Sequence, residues 1–171
     1  MNNRTFYNEV LTEHNLHPAH KHELEDANMT CEGLNPSCGD DIWVHLDVDD
    51  NGIIQKGAFE GDGCAISQAS ADMMCDDIIG KTEDEALSLA ASFMDMIRGT
   101  ATEEQKESLD EAASLEDISH MPARVKCAQL GWRTMKEMVE KLQKDGIAEG
   151  RVRANNSEVC GACQRTDCEK K

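Results

Sequence analysis

The chain has 171 residues, enough for one domain with a substantial core, and a formal charge of −17 from 34 acidic and 17 basic side chains. A surface this acidic repels phosphate backbones, so we expect no nucleic-acid partner. No apolar run approaches the ~20 residues of a membrane span and the N-terminus lacks an apolar signal region, which predicts a cytoplasmic protein with no membrane association.

The N-terminal region is predicted to begin with a short amphipathic helix over residues 4–14, broken by Pro18. Four histidines crowd the end of this region: His14, His17, His20 and His22. Adventitious metal binding by these side chains is one interpretation, but a solvated basic loop is the favoured one.

The next segments predict a small antiparallel sheet of three strands. A first strand is expected over residues 24–32, and DIWVHLDV (41–48) alternates apolar and polar residues as a strand does. The Asn-Gly pair that follows is a strong hairpin signal, so IIQKGAF (53–59) is expected to return as the partner strand.

Two helices are predicted after the sheet. CAISQASADMMCDDIIG has an apolar helical face and is expected to end at Gly80. TEDEALSLAASFMDMIRG opens with a capping-box pattern between Thr82 and Glu85 and is expected to stop at Gly99.

An acidic segment separates these helices from the last one. Residues 102–117 carry seven acids against one lysine, which predicts an exposed, partly helical insert of about residues 100–119. A long helix is then expected from Arg124 to Lys144, with Trp132 serving the core rather than function.

The chain has eight cysteines, and thiols in the cytoplasm stay mostly reduced, which favours metal or sulfur chemistry over disulfides. Cys38 lies in a Pro/Gly loop before a predicted strand, Cys64 begins a predicted helix, and Cys127 is expected in the first turn of another. The N–H groups and dipole of a helix start lower a thiol's pKa. These three cysteines are therefore the candidates for reactive or metal-bound thiolates.

Asp40 is the natural fourth ligand of such a site. Gly39 permits the sharp bend that turns the side chains of Cys38 and Asp40 the same way. Zn²⁺ takes sulfur and carboxylate oxygen in a tetrahedron, and one oxygen among three thiolates makes a comparatively exchangeable ligand set. The intervals from 38 to 64 and from 64 to 127 match no zinc-finger spacing, so from spacing alone buried core cysteines are the favoured alternative.

Three segments together resemble, in order and spacing, the signature segments of the SufU and IscU iron–sulfur cluster assembly proteins, which are NifU-like. They are NPSCGDDI, FEGDGCAISQASADMM and MPARVKCAQLGW, and FYNEVLTEH followed by Pro18 resembles the opening helix of the same family. The resemblance covers about residues 4–145. It implies an α+β fold in which helices pack on one side of a three-stranded antiparallel sheet.

The resemblance also implies a ligand set. In that family the matching positions bind zinc or hold a nascent cluster, and they fall here on Cys38, Asp40, Cys64 and Cys127. The alternatives for the bound group are therefore zinc, iron or a [2Fe–2S] cluster.

The branch that the chain resembles is SufU. IscU-type scaffolds place a histidine before the third cysteine and carry a Leu-Pro-Pro-Val-Lys motif, whereas this chain has Lys126 and lacks the motif. The long segment between Gly99 and Met121 also resembles SufU. The resemblance implies a zinc-dependent sulfurtransferase-type carrier that takes persulfide sulfur from a SufS-type cysteine desulfurase and serves downstream cluster-assembly proteins. Within the family a non-enzymatic [2Fe–2S] scaffold stays open, and outside it a zinc-stabilised binding module.

By the same resemblance, Cys38 is assigned as the sulfur acceptor, because it lies on a flexible glycine loop. Arg124 and Lys126 flank the third cysteine and are expected either to stabilise a persulfide anion or steer a partner, or simply to be solvated. Asp40 is expected to tune the metal and to be able to let go of it.

The remaining cysteines fall into two groups. Cys31 and Cys75 are expected to be buried apolar residues. Cys160, Cys163 and Cys168 lie in a predicted mobile tail, 150–171, that follows a domain of residues 1–149, and they depart from the family pattern. Sulfur relay, a redox pair and metal binding are all open for these three.

Overall fold

The computed structural model describes residues 9–144. In chain order the elements are α1 Glu9–Leu16, β1 Met29–Asn35, β2 Asp40–Val48, β3 Ile54–Asp62, α2 Ala65–Ile78, α3 Glu83–Arg98, α4 Glu103–Ser108, a 3₁₀ helix Asp110–His120 and α5 Pro122–Lys144. None of the helices in this described part is long and apolar enough to cross a membrane.

The three strands form one antiparallel sheet in the order β1-β2-β3, as predicted. β1 begins at Met29 rather than at residue 24, because a turn precedes it: the Ala27 N–H donates to the carbonyl of Leu24. The Asn28 side chain then bonds both backbone groups of Val48, at 2.6 and 3.0 Å, which fixes where β1 joins β2.

The two faces of the sheet differ as the alternation predicts. Ile42, Val44, Leu46 and Val48 are at most 1% exposed, and α2 and α5 contact the sheet and each other. His45 belongs to the alternate set, where its ring shares hydrogen bonds with Thr30 (3.0 Å) and Glu60 (2.8 Å) on the two neighbouring strands. The core therefore lies between one face of the sheet and the helices.

The helix ends follow local rules. The Thr82 hydroxyl accepts from the Glu85 N–H at 3.2 Å, and the Glu85 carboxylate accepts from the Thr82 N–H at 2.9 Å, so the predicted capping box is present. Gly99 ends α3 in the left-handed conformation, at φ 80°. Trp132 is fully buried on α5, as expected of a core residue.

The acidic insert is not simply exposed, and here the prediction is corrected. Leu109, Ala112, Leu115 and Ile118 are at most 1% exposed, and the segment contacts α2, α3 and α5. A 3₁₀ helix has three residues per turn, so residues spaced by three share one side. This apolar line forms part of the core while most of the acids face outward.

The expectation of a solvated histidine loop is also wrong for two of the four histidines. His14 is only 9% exposed and lies between two carboxylates, and the His20 ring lies 2.7 Å from a carboxylate oxygen of Asp76. The acids of α2 and the 3₁₀ helix account for this, because they compensate the imidazoles where the loop folds back.

Gly33 allows α5 to approach β1 closely. A Cβ there would lie 2.1 Å from Thr134 Oγ1 and 3.2 Å from Leu130 Cδ1. We expect Gly33→Ala to lower the free energy of unfolding by about 1–3 kcal/mol through overpacking, measured by urea denaturation. Gly57→Ala is the matched control on another strand, since its Cβ would meet nothing closer than 3.4 Å. Equal losses in the two variants would contradict this account.

Candidate metal centre

The turn between β1 and β2 places Cys38 and Asp40 at one end of the sheet. β1 ends at Asn35, whose register partner is Asp40, and the Cys38 N–H donates to the Asn35 carbonyl at 3.2 Å. Gly39 has φ 72°, while a Cβ there would meet nothing within 4 Å. The left-handed backbone, rather than lack of space, is therefore what favours glycine at this position.

Asp40 is buried and held by three donors. Its Oδ1 accepts from the Cys64 N–H at 2.8 Å and from the Ser67 hydroxyl at 3.1 Å, and its Oδ2 accepts from Asn35 Nδ2 at 3.1 Å. It is only 1% exposed. This carboxylate thus caps α2 from outside the helix. If Asp40 moved away from a bound metal, these three hydrogen bonds would be disturbed, a constraint that the sequence did not indicate.

Cys127 approaches the turn from α5. Its thiol donates to Cys38 Sγ at 3.0 Å, and Asn35 Nδ2 lies 3.6 Å from its sulfur. Because α5 begins at Pro122, two residues earlier than predicted, Cys127 is in the second turn rather than the first. Proline suits the first helical position, which explains the earlier start. The helix-start argument therefore applies to Cys64, the N-cap residue of α2, but not to Cys127.

The fold brings three of the four predicted ligands into one group. The sulfurs of Cys38 and Cys127 and a carboxylate oxygen of Asp40 all lie within 4.8 Å of one another. Cys64 lies at the edge of this group, where it contributes a side-chain hydrogen bond and its charge to Cys127. Arg124 bonds to Cys127 from the preceding turn of α5, whereas Lys126 is exposed.

The electrostatics of the group favour a bound cation. Burial raises the pKa of the Cys127 thiol, and the hydrogen bond with Cys38 and the charges of Cys64 and Asp40 raise it further. The hydrogen bond to Cys127 and the charge of Cys64 in turn raise the pKa of the Arg124 guanidinium. Three thiols and a carboxylate crowded in this way match the ligand chemistry of Zn²⁺, which keeps its thiol ligands deprotonated.

Two supporting residues escaped the sequence analysis. Asn35 is 5% exposed and contacts both Asp40 and Cys127, while Ser67 is fully buried beside Asp40. Ser67 lies three residues after Cys64, in the first turn of α2. This spacing was the one feature of the sequence that could have indicated Ser67 as a neighbour of the site. No feature of the sequence indicated Asn35, because its contact with Cys127 depends on how β1 packs against α5.

The other described cysteines lie in the core. Cys31 and Cys75 are fully buried, as expected, and burial raises the pKa of the Cys75 thiol, which disfavours the reactive thiolate form. Cys160, Cys163 and Cys168 lie outside the described residues, so what the sequence suggests for them stays a prediction.

Residues 6–147 match the family described as the NifU-like N terminal domain. The iron–sulfur cluster assembly scaffold protein IscU of Thermotoga maritima is 39% identical over 82% of this chain and 97% of that protein. The zinc-dependent sulfurtransferase SufU of Bacillus subtilis is 38% identical over 80% of this chain and 91% of that protein.

Solved structures agree with these sequence matches. A putative iron–sulfur cluster assembly scaffold protein for the SUF system from Fervidobacterium islandicum superposes with a TM-score of 0.73 at 34% identity, over 79% of this chain and 97% of that one. A NifU-like protein from Brucella abortus gives a TM-score of 0.73 at 21% identity, over 83% and 97%, and adds evidence for the fold alone.

Proposed function

The chain belongs to the family of NifU-like N-terminal domains, and on that premise we propose that it assembles iron–sulfur clusters as a zinc-dependent sulfur acceptor. It takes persulfide sulfur from a SufS-type cysteine desulfurase and passes it to downstream cluster-assembly proteins. The observation that carries this proposal is the convergence of Cys38, Asp40 and Cys127 at one end of the sheet. Two relatives of nearly equal identity bear the names of scaffold and sulfurtransferase, so the choice between these roles depends on this chain's own residues.

The ligand set has one position on a partly exposed turn and three that helices or hydrogen bonds hold in place. Cys64 and Cys127 belong to helices, and Asp40 is held by three donors. Cys38 lies on a turn and is partly exposed. These four residues would hold zinc, which when bound keeps the thiols deprotonated at neutral pH.

Sulfur transfer follows from thiolate chemistry at Cys38. The Cys38 sulfur attacks the outer sulfur of the desulfurase persulfide, and a new S–S bond forms at Cys38. The S–S bond on the desulfurase breaks, and its cysteine leaves as a thiolate. The exchange needs no external oxidant or reductant, because one persulfide replaces another. Arg124, which interacts with Cys127, is proposed to balance the charge of the new persulfide.

The insert favours the acceptor role over the scaffold role. Its apolar line is part of the core, so it is an integral element of this chain rather than an appended loop. Together with Lys126 it matches the SufU pattern. The second candidate, a scaffold that assembles a [2Fe–2S] cluster, draws on the same ligands and on the name of the Thermotoga maritima relative.

Metal analysis combined with a desulfurase assay tests the proposal. We expect the purified protein to be colourless, to contain zinc, and to raise the turnover of a SufS-type desulfurase several-fold. Visible absorption of a cluster without stimulation would instead support the scaffold. Unfolding on chelation with no stimulation would support a zinc-stabilised binding module.

A further inference from the structure

A second group of histidine and carboxylate side chains lies toward the opposite end of α2 from Cys64. His14 on α1, Asp76 on α2 and Glu111 on the 3₁₀ helix each offer one ligand atom, and these three atoms lie within 4.8 Å of one another. Asp76 is twelve residues after Cys64, roughly 18 Å away along the helix. The group is therefore separate from the cysteine centre.

His14 is oriented as a metal-binding histidine usually is. Asp72 is 1% exposed, and its Oδ2 lies 2.6 Å from His14 Nδ1 while its Oδ1 accepts from the His20 N–H at 2.8 Å. The hydrogen bond with Asp72 fixes the orientation of the His14 imidazole and keeps a proton on Nδ1. The second nitrogen, Nε2, then points at Glu111 Oε2, 2.6 Å away. Histidine ligands commonly donate their other N–H to a carboxylate in this way.

The same region has an excess of negative charge. A carboxylate oxygen of Asp77 is buried without a hydrogen-bond partner among the described residues. The charges of Asp110, Asp76 and Glu111 all act on the Asp77 carboxylate, and only Lys81 opposes them. A bound cation would relieve this repulsion, which an internal hydrogen bond between His14 and Glu111 relieves only in part.

The group is also open to solvent on one side. The His14 side chain is 10% exposed, but those of Asp76 and Glu111 are 48% and 57% exposed. An ion can therefore enter past two exposed carboxylates and reach an imidazole that Asp72 holds in place. Glu111 can turn away from Nε2 to make room for the ion between them.

We propose that His14, Asp76 and Glu111 bind a divalent first-row transition-metal ion, with Asp72 as the residue that positions His14. One imidazole and two carboxylates suit Mn²⁺, Fe²⁺ and Zn²⁺, in contrast to the thiol-rich centre. On binding, His14 Nε2 releases any proton it carries to solvent and donates its lone pair to the ion. The ion ties the acidic insert to α1 and α2.

The test uses Mn²⁺ as the probe, on protein whose cysteine centre is first loaded with zinc. Mn²⁺ is a poor competitor for thiolates, so it reports on the histidine–carboxylate group. We expect saturable Mn²⁺ binding, measured by the loss of the free Mn²⁺ signal in electron paramagnetic resonance. Glu111→Gln should weaken the affinity at least tenfold, and Asp72→Asn about 10–100-fold.

Glu104→Gln is the matched control, since Glu104 is an exposed acid of the same insert outside the group. It should leave Mn²⁺ binding unchanged. No saturable uptake at millimolar Mn²⁺, or equal affinity in wild type and Glu111→Gln, would overturn the proposal. Because Glu111 is exposed, its glutamine variant should keep the wild-type circular dichroism and melting temperature, and it decides the question even if Asp72→Asn fails to fold.

Discussion

Cys38→Ser should reduce the stimulation of desulfurase turnover to the level of the desulfurase alone. Serine has nearly the same size as cysteine, but its hydroxyl forms no persulfide and is a poor zinc ligand at neutral pH. Cys38 lies on a partly exposed turn and only borders the core, so the fold should survive the change. Desulfurase turnover and mass spectrometry of the sulfur-loaded chain give the two measurements.

Ser37→Ala is the control for this experiment, because Ser37 is an exposed neighbour on the same turn. It should stimulate as the wild type does and carry the added sulfur on Cys38. Normal stimulation by Cys38→Ser would show that another thiol accepts the sulfur. An equal loss in Ser37→Ala would point to the shape of the turn instead of the thiol.

The sheet and the main helices were predictable because their signals are local. Alternation in residues 41–48 and the capping box at Thr82 each involve neighbouring residues, and both are present in the structure. The insert was misjudged because its seven acids dominate the composition. The apolar line at every third residue from Leu109 to Ile118 is a weaker local pattern, and it marks a helix type that is usually short.

The candidate site likewise has one part that the sequence indicates and another that depends on the fold. The residue types and local positions of Cys38, Asp40, Cys64 and Cys127 suggested one metal site, but from spacing alone buried core cysteines were favoured, and only the resemblance to known proteins reversed that preference. The partners of Asp40 come from β1 and α2, and the position of Cys127 depends on how α5 lies against β1. The brace of His14 by Asp72 links residues 58 positions apart in the chain. Contacts of this kind depend on topology, and no local pattern predicts them.

Trp132→Ala should lower the free energy of unfolding by about 3–5 kcal/mol, the largest effect on stability that we expect. Trp132 is fully buried on α5 and stacks on Phe93 of α3, with ring centroids 4.7 Å apart and an interplanar angle of 10°. Removing the indole leaves a cavity between the two helices. Because α5 also carries Cys127, we expect weaker zinc retention in the same variant, and urea denaturation and metal analysis check the two effects.

Two further variants separate packing from hydrogen bonding at Trp132. The indole N–H is buried and has no partner among the described residues, so Trp132→Phe loses no hydrogen bond and keeps a ring on Phe93. Trp132→Phe should therefore lower the free energy of unfolding by less than half as much as Trp132→Ala does. Trp43 is half-buried on β2, and water can fill part of the space that its side chain would leave. Trp43→Ala should therefore also lower the free energy of unfolding by less than Trp132→Ala does. If Trp132→Phe were as destabilising as Trp132→Ala, the indole N–H would have to be making a contact that ring packing does not explain, and the role of Trp132 as a core residue would need revision.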